Sequence, residues 1–233
     1  IVESSATAHI DPERVRIVLP EFVMPPGGVH IRWPDTALEQ EARLFDYKWY
    51  AALAYIRANK LNHNVIEGPN DRFGLIASGK AYNDTRQALL DLGLDDTTCQ
   101  RIGIRVHKVG VVWPLESEST REFARGLQEI LVVEEKRQLI EYQLKEELYN
   151  WPDAQRPRVL GKFNEGEGDA GGEWSQPNPS GNILLRANAD LSPALIAQAI
   201  ATRLKKLGVD ADTRSRMDAQ LAVLDAKQKA MQV

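Results

Sequence analysis

Ile130-Leu-Val-Val133 is an unbroken aliphatic run of strand length. A strand that reads this way is apolar on both faces and needs cover on both sides. Its surroundings repeat the demand. Phe73–Ala77 is a second apolar run too short for a helix, Ile104–Val112 a third, and Arg158–Leu160 a short fourth. Between them lie stretches with helical spacing. Ala81, Thr85, Ala88, Leu89 and Leu92 form one stripe, closed by Gly93. Asp95 can cap a short helix ending near Arg101. Glu118–Gln128 turns Phe123, Ala124 and Leu127 inward, and Lys136–Tyr149 carries Ile140, Leu144 and Leu148. A β-α-β-α-β-α-β rhythm of this kind predicts a three-layer α/β/α fold around an open, mostly parallel sheet.

The flanks read differently. In residues 1–70, short apolar runs at Val15–Leu19 and His30–Trp33 are strand candidates, each closed by a proline. Asp35 or Thr36 then caps a long helix to about Asn59, with Leu38, Ala42, Phe45, Trp49, Ala52, Leu53 and Ile56 on one face. Residues 164–189 are rich in Gly, Asn and Pro and read as a linker. In residues 190–233 a helical pair closes the chain. Ser192 is the N-cap of its first member, Pro193 sits at N1, Leu191 can staple onto Ile196, and Gly208 marks the stop. The expected organisation is therefore 1–70, an extension with one long helix; 71–163, the α/β domain; 164–189, a linker; and 190–233, the helical pair.

Charge and cysteine content narrow the chemistry. The net charge is −4, and the only basic cluster in sequence is Arg203, Lys205 and Lys206 at a helix end. Nucleic acid is therefore not an expected partner. The single cysteine, Cys99, cannot hold an iron–sulfur cluster or a zinc ion by itself. It reads as a small buried residue in a reducing compartment, which makes the cytoplasm the expected location. No apolar run is long enough for a membrane span. The chain opens Ile-Val-Glu-Ser-Ser, without Met or a signal-peptide core, as an internal start would.

One local motif suggests chemistry. Gly74-Leu-Ile-Ala-Ser-Gly79-Lys80-Ala81 has the G-x-x-x-x-G-K spacing of a phosphate loop. Ala81, however, stands where a hydroxyl would ligate magnesium, and Gly74 falls inside a strand rather than after it. A weaker version survives these objections. Ser78, Gly79, Lys80, Glu134 and Glu135 all fall at strand carboxyl ends, where open α/β sheets bind ligands, and a helix N-terminus there could accept an anion. These five are the candidate cofactor-binding residues; no catalytic or metal-ligating residue is assigned. The pairs Asp95–Asp96, Glu134–Glu135 and Glu146–Glu147 are sequence neighbours that point apart on a helix and make no acid/base dyad. His9, His30, His63 and His107 show no metal-ligand spacing, and His107, within a strand, reads as a packed residue.

Four stretches carry a family resemblance. They are Phe22–Asp35 (FVMPPGGVHIRWPD), Arg72–Leu94 (RFGLIASGKAYNDTRQALLDLGL), Gly103–Glu116 (GIRVHKVGVVWPLE) and Phe123–Asn150 (FARGLQEILVVEEKRQLIEYQLKEELYN). In collinear order they resemble the indolepyruvate ferredoxin oxidoreductase family of 2-oxoacid:ferredoxin oxidoreductases. The long fused members are the most similar in flavour. The resemblance implies a transketolase C-terminal-like domain with helical extensions at both ends. It implies a parent enzyme that oxidatively decarboxylates aryl-2-oxoacids with thiamine diphosphate, magnesium and coenzyme A. Electrons would leave through 4Fe-4S clusters to ferredoxin. The partners implied are the other domains of the same polypeptide, in an oligomeric parent.

This sequence departs from the family's catalytic pattern. Gly168-Asp-Ala170 lacks the third residue of the Gly-Asp-Gly motif that places the magnesium diphosphate, and no cysteine cluster is present. None of those roles is carried over. The reading that results is a non-catalytic assembly domain. Two rivals are a small nucleotide- or anion-binding module using the Gly74–Lys80 turn, and a pure interaction domain.

Overall fold

The computed structural model describes residues 10–164, 182–188 and 190–231. Its core element is a five-stranded sheet in the order β1-β3-β2-β4-β5. The strands are β1 (Asn62–Ile66), β2 (Phe73–Ser78), β3 (Ile104–Val109), β4 (Glu129–Val133) and β5 (Arg158–Leu160). β2, β3, β4 and β5 run parallel, and β1 lies antiparallel on the edge beside β3. Their register sets the two ends of the sheet. Phe73 faces Ile104 and Glu129, and Glu129 faces Arg158, so the amino ends share one rung. Ser78 faces Val109, and Ala77 faces Val133, at the carboxyl ends.

Side chains alternate between the two faces of a strand, and each face has its own core. Phe73, Leu75, Ala77, Ile104, Val106, Leu131 and Val133 pack with Ala88, Leu89 and Leu92 of α3 (Gly79–Asp91). The same core takes Cys99 of α4 (Asp96–Ile102), Ile196, Ile200 and Leu204 of α7 (Pro193–Leu207), and Met217 of α8 (Ala211–Met231). Ile76, Ile130, Val132 and Val159 face the other way, onto Phe123 of α5 (Ser117–Ala124) and Ile140, Leu144 and Leu148 of α6 (Ile140–Leu148). The expected three-layer, mostly parallel α/β sheet is the observed one. Both C-terminal helices belong to it: α7 lies against α3, and the Ser192 hydroxyl accepts from the Leu195 amide as its N-cap.

Gly74 has a packing reason rather than a phosphate-binding one. A Cβ there would come within 2.6 Å of Leu127 Cδ1 and 2.8 Å of Phe123 Cζ. The glycine lets β2 and the layer above it approach closely.

Several boundaries differ from expectation. β1 was not foreseen, because Asn-His-Asn-Val-Ile has no apolar alternation. It is held as an edge strand by its polar groups: Asn62 Oδ1 accepts the Gly110 and Val111 amides at 2.9 and 3.0 Å. α5 stops at Ala124, since Arg125 is extended and Gly126 takes φ +80°. β3 ends at Val109 rather than Val112. α6 starts at Ile140 rather than Lys136, because Lys136 sits at φ +61° and cannot continue a helix. The expected linker lies mostly outside the described residues. Its described part includes a bridge from Phe163 to Ile183 and the buried Leu185.

The chain divides into two compact units between Lys60 and Leu61. In the first, Thr36 and Glu39 form a capping box at the start of α1 (Ala37–Arg43). A π-helical turn, Leu44–Lys48, joins it to α2 (Trp49–Ala58). The long helix is thus confirmed, with one irregularity. The two expected strands are not present. Val18 instead pairs with the side chain of Asn59, whose Oδ1 accepts the Val18 amide while Nδ2 donates to its carbonyl, both at 2.8 Å. An asparagine side chain supplies here what a neighbouring strand would have supplied.

Candidate functional site

The sheet register brings the sequence candidates together. Ser78 ends β2, Gly79 opens α3 at φ +53°, and Glu134 and Glu135 follow β4. Ser78, Lys80, Glu134 and Glu135, with Val112 and Arg137, line a shallow cleft of about 350 Å³ at the carboxyl edge. Open space surrounds the position where a Gly79 Cβ would stand.

The charges in this cleft are largely used by the fold itself. Lys80 Nζ lies 2.6 Å from Asp84 Oδ2 and 3.7 Å from Glu135 Oε2. It also donates to the Leu191 carbonyl at 3.4 Å. The hydrogen bond to Asp84 raises its pKa, so it is a firmly held cation. Glu134 turns inward and accepts the amides of Leu139, Ile140 and Glu141 at 2.7–3.1 Å. Its carboxylate occupies the N-terminus of α6, the place where an outside anion would sit. Burial pushes the Glu134 carboxyl up, against the opposing pull of those amides. At α3 the situation is different, because Ser78 makes no side-chain cap and leaves the first amides open.

Other polar groups are structural. His107 is buried between β1 and α5. Its Nδ1 lies 2.8 Å from Asn64 Oδ1, and its ring centroid is 4.8 Å from that of Phe123. Burial drives its pKa down to about 3, and Nε2 has no hydrogen-bond partner among the described residues. Burial pushes the Cys99 thiol up to about 12, which removes it as a nucleophile. Among the described residues no three His, Cys, Asp or Glu side chains group as metal ligands. One cysteine also cannot supply the thiolates of an iron–sulfur cluster.

Two features escaped the sequence. Arg203, read as part of a basic cluster, instead turns its side chain inward from α7 onto β4 and is buried. Its Nε donates to Glu129 Oε1 at 2.6 Å and Nη2 to Oε2, while Nη1 reaches Asn164. The true concentration of cations is at the amino edge of the sheet, where Arg121, Arg125 and Arg156 line a larger cleft of about 720 Å³. They are spread over 36 positions, so no local cluster marks them. The signal available was positional: Arg125 and Arg156 each stand just ahead of an expected strand.

Residues 62–233 match the family described as the indolepyruvate ferredoxin oxidoreductase middle domain. The indolepyruvate oxidoreductase subunit IorA of Pyrococcus abyssi is 35% identical over 88 residues, 37% of this chain and 12% of that protein. IorA of Methanothermobacter marburgensis is 38% identical over 77 residues, 33% of this chain and 11% of that protein. The matched segments thus span only about an eighth of these relatives' length. Among solved structures, an inactive β4 tetramer of a split-gene transketolase aligns with 62% of this chain and 41% of its own, at TM-score 0.38 and 19% identity. On the match across residues 62–233, the chain belongs to the indolepyruvate ferredoxin oxidoreductase middle-domain family.

Proposed function

We propose that this segment is a non-catalytic assembly domain of a thiamine diphosphate-dependent indolepyruvate (aryl-2-oxoacid):ferredoxin oxidoreductase, which converts 2-oxoacids to acyl-CoA. The observation that carries the reading is the family match over residues 62–233. A second observation agrees with it: at the carboxyl edge Lys80 and Glu134 are already engaged by Asp84, Glu135 and the α6 amides. Thiamine diphosphate, magnesium, coenzyme A and the 4Fe-4S clusters would be held by other parts of a larger polypeptide, and ferredoxin would meet those parts. The work of this domain is positioning, holding its neighbours in register. Such work has catalytic weight, since small misplacements of reacting groups are costly. A cytoplasmic location fits the single buried thiol and belongs to the same reading. No helix among the described residues is long and apolar enough to cross a membrane.

The test is calorimetric titration of the 233-residue chain with thiamine diphosphate and magnesium, beside an assay of indolepyruvate decarboxylation. Neither micromolar binding nor turnover is expected. Micromolar binding of thiamine diphosphate would overturn the reading.

A second reading keeps Ser78, Gly79, Lys80, Glu134 and Glu135 as an anion contact. The open N-terminus of α3 favours it. Against it, Asp84, Glu134 and Glu135 set three carboxylates around Lys80 and Arg137, a poor environment for a polyphosphate. A thermal shift with millimolar ATP and magnesium, measured on the unsubstituted chain and on Lys80→Ala, tests it; no shift, or a shift that Lys80→Ala leaves unchanged, removes it.

A further inference from the structure

The amino edge of the sheet holds a cleft that the assembly role does not use. It lies where α5 turns into β4 and where α6 descends to β5. Its lining includes Arg121, Arg125, Arg156, Leu127, Trp151 and Pro152, and contains no carboxylate among the described residues. The volume, about 720 Å³, is in the range that takes a small-molecule ligand.

The three guanidinium groups are differently committed. Arg121 pairs with Glu147 across to α6, and Arg156 with Asp153 while also donating to the Tyr149 carbonyl at 2.6 Å. These are solvent-exposed pairs of small net value, from which a stronger anion can draw an arginine. Arg125 is exposed and makes no ion pair among the described residues. Arg158, the first residue of β5, is also exposed, and its amide is bonded to the Gln128 carbonyl at the margin of the cleft. Between Arg125 and Leu127, Gly126 leaves open space where a side chain would stand. This cationic excess occurs in a chain whose net charge is −4, so it is not a consequence of a basic composition.

The other half of the lining is apolar. Trp151 is half-buried, packed against the α5–α6 core on one side and lining the cleft on the other. Next to it come Pro152 and Leu127. A flat ring can stack on indole while an attached phosphate reaches the guanidinium groups, which bind phosphate through paired hydrogen bonds.

We propose that this cleft binds a phosphate-bearing small molecule with a planar ring, of the nucleotide class, with Arg125 and Arg156 on the phosphates and Trp151 against the ring. The assignment is independent of the assembly role, and it lies at the opposite edge of the sheet from the Gly74–Lys80 turn.

The test is calorimetric titration of the full chain with three probes: ADP, inorganic pyrophosphate and adenosine. ADP is expected to bind saturably with Kd below about 1 mM, more tightly than either part. Arg125→Ala and Arg156→Ala, both at exposed positions, are each expected to weaken ADP binding roughly tenfold. Added salt should weaken it as well. The proposal is overturned if ADP shows no binding at roughly 5 mM, or if pyrophosphate or adenosine alone binds as well as ADP. Binding unaffected by both arginine substitutions, or abolished by Lys80→Ala instead, also overturns it, the latter by moving the site to the carboxyl edge.

Discussion

The two ends of the sheet use charge in opposite ways. At the carboxyl end, the groups that could have met a ligand are turned back on the fold: Glu134 caps α6, and Lys80 is tied to Asp84 and Glu135. At the amino end, one arginine is buried against a carboxylate, while Arg125 and Arg158 are exposed and make no ion pair among the described residues. Ligands of open α/β sheets ordinarily sit beyond the carboxyl ends. In this domain, the charged side chains Lys80 and Glu134 at the end that convention favours are engaged by the fold, while Arg125 and Arg158 at the other make no ion pair among the described residues. Position in a fold nominates a site, but the partners of each charge decide whether anything is left to bind with.

Breaking the buried pair at the amino end has the largest expected effect. Arg203 is 1% exposed and Glu129 4%. Arg203→Ala leaves the Glu129 carboxylate buried without its cation, and the expected loss of stability is about 3–5 kcal/mol. Chemical denaturation measures it. The double variant Arg203→Met with Glu129→Leu should recover most of that loss, because burying two apolar side chains removes the desolvation problem altogether. A double variant no more stable than Arg203→Ala would show that the ion pair, rather than volume, organises this end.

Between the two ends, the sheet interior must stay uncharged, and His107 makes that measurable. Its folded pKa, about 3, lies below the ordinary 6.5. Between those values the unfolded chain binds the extra proton, so stability rises with pH across this window and falls as the medium is acidified. From pH 6.5 to pH 5 the loss attributable to His107 is ~2 kcal/mol. His107→Gln should flatten the stability profile by that amount over the same interval. An unchanged slope would mean that the ring takes up a proton in place.

Much of this was legible in the sequence, for identifiable reasons. β4 was plain because Ile130–Val133 is apolar on both faces, and α7 because Ser192 and Pro193 announce it. The five carboxyl-end candidates converge because strand ends in a parallel sheet are predictable from strand starts. β1 was hidden, since its ladder depends on Asn62 and Asn64 finding amides and an imidazole 43 or more residues away. Val15–Leu19 had the composition of a strand but no partner strand, and composition alone does not pair backbones. The amino-end arginines were marked only by position, for a related reason: the α5–β4 and α6–β5 turns are remote in sequence and adjacent only once the parallel register is set.

The smallest effects sharpen the contrast at the carboxyl end, where two charged residues one cleft apart should behave unequally. Glu134→Ala removes an acceptor from three helix amides, a loss comparable to deleting a good N-cap, about 1–2 kcal/mol. Lys80 is 53% exposed, and its pair with Asp84 is an exposed i,i+4 bridge. Lys80→Ala should therefore cost no more than ~0.5 kcal/mol. Thermal denaturation of the two variants side by side measures the difference. If Lys80→Ala is as damaging as Glu134→Ala, the lysine is tied more strongly into the fold than its exposure implies. If Glu134→Ala is silent, the α6 amides are satisfied by water, and the carboxyl end is less closed than its hydrogen bonds make it.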